Sequence, residues 1–134
     1  MAKEDKTFDI NVVGENTKEK WIGTFKCKTS LSFRDQLLRD RIRRDQLGEE
    51  KGEVGLRAKE IAIIQSEIRP RLTKMPTWFS ESDYGLDLED DNVLYEIYAE
   101  VMKAEEESKA ERDKDAKSAE KSLKEERAKD EKDK

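Results

Sequence analysis

Histidine is absent from this chain, which removes the side chain most often used as a general base or metal ligand near neutral pH. The single cysteine, Cys27, lies in an alternating apolar run, where a buried, unreactive thiol is the ordinary state. One cysteine forms no internal disulfide and suits a reducing compartment. The glycines are scattered and build no phosphate-cradling loop. Two charged clusters remain. Asp83, Asp87, Glu89, Asp90 and Asp91 offer carboxylates to a cation, but they lack the offsets of a calcium-binding loop, and helix capping explains them better. Arg39, Arg41, Arg43 and Arg44 are a second candidate, for gripping phosphates. They are interspersed with Asp35, Asp40 and Asp45 in a chain of net charge −5, which favours an ion-paired helix face over a nucleic-acid site. No enzyme activity, cofactor or metal is therefore expected.

What remains is apolar surface. The stretch from Pro76 to Met102 opens with Trp78-Phe79 and turns at Asp83-Tyr84-Gly85. It then sets Leu94, Ile97, Tyr98, Val101 and Met102 at the spacing of one broad helical stripe. Asp87 or Asp90 is expected to cap that helix, and the Asp87–Asp91 acids sit at the positive end of its dipole. No Lys or Arg occurs from Thr77 to Met102. The helix needs an apolar surface to lie on, and the other elements must supply it.

Thr7–Val13 and Lys20–Lys28 alternate apolar and polar residues across a short polar turn. They predict an antiparallel hairpin with Phe8, Ile10, Val12, Trp21 and Phe25 on one face. Gly23 reads as a weak spot in the second strand, with a bulge or a close approach as alternatives. Ser32-x-x-Asp35 resembles a capping box and opens a first helix that runs to Leu47 and stops at Gly48. Phe33, Leu37 and Leu47 cluster on one side of it, and Leu38 and Ile42 lie roughly opposite. Glu49–Gly55 is a loop. A second helix, Leu56–Leu72, carries Ile61, Ile64, Ile68 and Leu72, with Pro70 expected to kink or end it near Ile68-Arg69. The fold class predicted is α+β, mainly α: an N-terminal hairpin packed on about three helices, the third over about Asp90–Glu105. Residues 1–102 form one small domain holding all the aromatics, anchored by Trp21, Phe25, Trp78 and Phe79, with Trp78 substantially buried.

Residues 103–134 form a tail, eleven Lys/Arg and twelve Asp/Glu with Leu123 its one large aliphatic, against seventeen and twenty-one in the body. Glu→Lys pairs such as Glu105/Lys109 and Glu120/Lys124 support a solvated helix, but the mixed charge equally permits disorder. No apolar run has the length of a membrane span or signal core, so a soluble intracellular protein is expected.

The order of hairpin, Arg-rich helix and Ile-rich helix, then Pro76-Thr77-Trp78-Phe79, Gly85-Leu86-Asp87-Leu88 and Asp91-Asn92-Val93-Leu94-Tyr95-Glu96-Ile97-Tyr98, resembles the tail assembly chaperones of long-tailed bacteriophages. The similarity spans roughly Thr7 to Glu105. It implies a non-enzymatic protein of the bacterial host cytoplasm that coats the long, helical tape measure protein until tail tube subunits replace it. Its partners would be the tape measure or other tail proteins, with self-association open, and a ribosomal frameshift yields a longer product in many phages. A helix-in-groove contact suits such a client. It would use Leu38 and Ile42 with Arg39, Arg43 and Arg44 around them, or the edge of the third helix at Tyr95 and Tyr98. A structural virion component and a small nucleic-acid-associated regulator using Arg39–Arg44 are the alternatives.

Overall fold

The computed structural model describes residues 5–47 and 55–132. The leader before Asp5, the expected stop at Gly48 and most of the Glu49–Gly55 loop lie outside them. The fold is α+β and mainly α, as the periodicities predict. β1 (Lys6–Val13) pairs antiparallel with β2 (Lys20–Cys27), Phe8 opposite Phe25, Ile10 opposite Gly23 and Val12 opposite Trp21. α1 (Phe33–Leu47) and α2 (Leu56–Arg71) follow. A three-residue β3 (Leu72–Lys74), unforeseen in the sequence, then adds to β2 across a bulge at Lys26/Cys27. The Trp78-Phe79 corner is itself a short helix, α3 (Thr77–Glu81), and α4 runs unbroken over Asp91–Lys132.

Local chemistry accounts for these limits. The capping box forms: Asp35 N–H donates to Ser32 Oγ (3.1 Å) and Ser32 N–H to the Asp35 carboxylate (3.4 Å). α2 does not stop at Ile68 as Pro70 suggested. A proline in the last turn forfeits one hydrogen bond, yet the Leu72 amide still closes on the Ile68 carbonyl and the helix reaches Arg71. The chain enters β3 directly from there. The tail is helical, consistent with its Ala, Lys, Glu and Arg content. From Lys109 on, its described side chains are all exposed, and the helix projects about 36 Å past the body. The body itself ends later than expected. Ala104 is buried, and Glu105 turns from Lys109 to the inward Arg71 guanidinium (2.9 Å).

The core lies between the sheet and the N-terminal half of α4. Phe8 stacks on Phe25, Phe25 meets Phe79 edge-on at 5.3 Å, and Phe79 meets Tyr84 edge-on at 6.0 Å. Phe79 rather than Trp78 is the fully buried member of the corner. Trp78 is half-buried at the margin, its ring tilted against Trp21 at 4.9 Å and its indole N–H donated to the Ile22 carbonyl (2.9 Å). Gly23 is a close approach, since a Cβ there would strike the Pro76 ring. At the turn, Asp83, Tyr84 and Gly85 all have positive φ, a conformation that costs the two non-glycine residues roughly 1 kcal/mol each. The buried Gln65 amide donating to the Tyr84 carbonyl (2.8 Å) and Arg69 over the Tyr84 ring (4.7 Å) offset that cost.

Asp90 does not cap α4 with its side chain. The carboxylate, fully buried, turns to the hairpin and accepts four hydrogen bonds: Asn16 N–H (2.8 Å), Thr17 N–H (2.9 Å), Thr17 Oγ–H (2.5 Å) and the Trp21 indole N–H (2.9 Å). Asn92 braces the same turn, accepting from Glu15 N–H and donating to the Val13 carbonyl. A Cβ on Gly14 would land on the Asp90 carboxyl. Desolvation pushes the Asp90 pKa up, but the bonds from Thr17, Trp21 and Asn16 outweigh it and hold it at about 2, below the ordinary 3.8. A depressed carboxylate pKa gives stability that is complete above the unfolded value and is lost as pH falls through the folded one. Asp90→Asn, which turns an amide N–H toward donors, is therefore expected to lower the melting temperature at neutral pH. It should also flatten the decline in stability that the wild type shows between pH 3.8 and about 2. Thermal melts across that range test this, and an unchanged melting temperature at neutral pH contradicts it.

Candidate functional site

Half of the arginine cluster, Arg39 and Arg43, faces inward. Arg43 donates to the Glu67 carboxylate (2.9 Å) and to Ser66 Oγ (3.2 Å), and Arg39 lies 3.8 Å from the same carboxylate and 3.3 Å from Asp40. Glu67 also accepts from Arg71 (2.6 Å), whose side chain is almost wholly buried and reaches Glu105 on α4. One acid of α2 therefore serves three arginines, and the pairing joins α1 to α2 and α2 to α4. This network lowers the capacity of Arg39 and Arg43 to hold phosphates. Arg41 and Arg44 remain exposed.

These ion pairs also decide which way α1 is turned. No residue of α1 is buried. Ile42, between Arg39 and Arg43 in sequence, is half-buried, and Leu38 is 42% exposed. The open apolar surface is instead centred on Phe33 (85% exposed) and Leu37 (70%), the side opposite the one expected. Arginine pairing with Glu67 outweighs apolar periodicity in orienting a helix whose stripe is this weak. Leu37, Asp40, Arg43, Arg44 and Leu47 border a shallow depression along this side.

A second apolar surface lies between α2 and α4. Glu60, Ile63, Ile64, Tyr95 and Tyr98 line an open groove of about 220 Å³. Ile64 forms its floor, buried in the core, while Ile63 (40%) and Tyr95 (36%) stand exposed at its walls. The Tyr95 hydroxyl donates to the Glu60 carboxylate (2.7 Å), and that bond and burial raise the phenol's pKa. Leu56, 76% exposed and two turns before Ile63, extends the strip along α2. Glu60, Glu96 and Asp91 give this face an acidic rim, with Arg57 bound to Asp91. Tyr95 and Tyr98 thus come together as the sequence suggested. Their partner Ile63 lies outside the Ile61-Ile64-Ile68-Leu72 stripe, and its role depends on how α2 crosses α4.

The remaining candidates are structural. Phe25 and Phe79 are core, while Trp21 and Trp78 are half-buried, the Trp21 indole tying the hairpin to Asp90 and the Trp78 indole tying α3 to the hairpin. Cys27 is fully buried, and desolvation first, then the charge of Asp5, pushes its thiol up to about 11. Among the described residues no three carboxylates or thiols converge on a common point that would hold a metal ion. Among those residues, too, no helix is long and apolar enough to cross a membrane. The Glu67 network yields a stability test. Glu67→Ala leaves Arg71 buried with half its neutralising partners and is expected to cost about 3 kcal/mol in urea denaturation. Asp40→Ala, in an exposed pair, should change stability by less than about 0.5 kcal/mol. Equal effects would contradict the network. No family model, curated protein or solved structure shows a significant match to this chain.

Proposed function

We propose that this chain is a tail assembly chaperone of a long-tailed bacteriophage. In this reading it acts in the host cytoplasm, without catalysis, by holding the helical tape measure protein soluble. The observation that carries the reading is the open apolar groove between α2 and α4, at the Tyr95–Tyr98 segment that also bears the resemblance. At about 220 Å³ the groove falls below the 300–1,000 Å³ usual for small-molecule sites. It suits one or two side chains of a helix laid along the Leu56–Ile63 strip. The acidic rim favours a client helix with Lys or Arg flanking its apolar stripe, setting register and encounter rate more than affinity. Several weak contacts along one long client combine avidity with ready displacement, which a chaperone that yields to tube subunits requires.

The test is co-expression with a tape-measure-like chain, scoring the client in the soluble fraction. The wild type is expected to keep it soluble at several copies per client. Ile63→Glu combined with Tyr95→Ala should abolish this while the thermal melt of the variant alone stays close to wild type, since both side chains are exposed. A fully active variant moves the contact elsewhere. A wild type with no effect on the client sinks the chaperone reading.

A further inference from the structure

α1 is held to α2 along one side only: Ile42 is half-buried there, none of the fifteen residues is fully buried, and the outer side is open. Helices of that length are marginal in water unless a face is covered, and α1 leaves Phe33 and Leu37 almost bare. The order of residues on this side suggests what covers them. Reading along the helix, the stripe runs Phe33, Leu37, Asp40, Arg44, Leu47, with apolar residues at both ends and one acid and one base in the middle. Turned end for end, it is complementary to itself.

We propose that the outer face of α1 pairs antiparallel with the same face of a second copy, about a two-fold axis passing between Asp40 and Arg44. In that register Asp40 of each copy meets Arg44 of the other, and Leu37 meets Leu47, so two ion pairs are flanked by two apolar contacts. Phe33, one turn before Leu37, extends the apolar end. A two-fold contact is closed by construction, so the product is a dimer and not a filament. A single helix pair about 22 Å long is small for a stable interface, so the dimer is of the weak, reversible class. Its two α2/α4 grooves remain free, because α1 contributes nothing to their lining. The pairing stands whether or not the chaperone reading does.

Sedimentation of the full chain over micromolar to submillimolar concentrations tests it. The wild type is expected to show a monomer–dimer equilibrium. Asp40→Arg and Arg44→Asp each set like charges against one another and should weaken self-association at least about tenfold. Mixing these two variants should restore dimers, because every reversed residue then faces an opposite charge. Recovery in the mixture cannot come from within one helix, so it reports the intermolecular pairing alone. Circular dichroism melts should match wild type, since no α1 residue belongs to the core. A wild type that stays monomeric, larger assemblies, a dimer indifferent to the single reversals, or a mixture that fails to recover would each overturn the proposal.

Discussion

The carboxylate of Asp90 is the point on which the two halves of this fold close. It comes from the residue preceding α4, about seventy positions from the hairpin turn it binds, and it takes four hydrogen bonds with no water-facing surface of its own. A buried charge left unpartnered would neutralise or destabilise the fold; one fully bonded fixes a unique arrangement. The turn amides of Asn16 and Thr17 set the height of the hairpin over α4. The Trp21 indole sets its rotation, which brings Trp21 against Trp78 and the Phe8–Phe25 stack over Phe79. Gly14 is required because any side chain there would occupy the carboxylate's place. The sheet therefore meets the helices in one register only.

A second electrostatic node, Glu67, does for the helices what Asp90 does for the hairpin. Arg71 ties α2 to α4 through Glu105, and Arg39 and Arg43 bring α1 against α2. Its consequence for function is indirect but large. Because arginines hold α1 down, Phe33 and Leu37 are left outside, and the described residues carry open apolar surface on α1 as well as in the α2/α4 groove. Such surfaces are where the proposed protein contacts would form.

How far the sequence reveals this depends on the range of each interaction. Period-two alternation exposes the hairpin, period 3.6 exposes the apolar half of α4, and Ser32-x-x-Asp35 exposes the start of α1, because each signal lies within a few residues of its effect. β3 is too short to carry a period. Pro70 misleads because the cost of a proline depends on whether it falls inside a helix or in its last turn. Asp90 reads as a cap among five acids; only the folded chain shows which one meets Thr17 and Trp21. The orientation of α1 is hidden for the same reason, since Glu67 lies two dozen residues from Arg43. Of the candidate contact residues, Tyr98 is legible from the stripe of α4 and Tyr95 from the edge beside it, whereas Ile63, Phe33 and Leu37 become prominent only once the helix crossings are known.

The role given to Asp90 is open to direct observation. Carboxyl carbon-13 chemical shifts of the folded protein, followed from neutral pH downward beside the Trp21 indole proton, report the ionisation of this one group and the bond it holds. The Asp90 carboxyl is expected to titrate at about 2, with the indole proton moving through the same midpoint. A midpoint at or above the ordinary 3.8, or an indole proton indifferent to it, would show that the hairpin is held by something else.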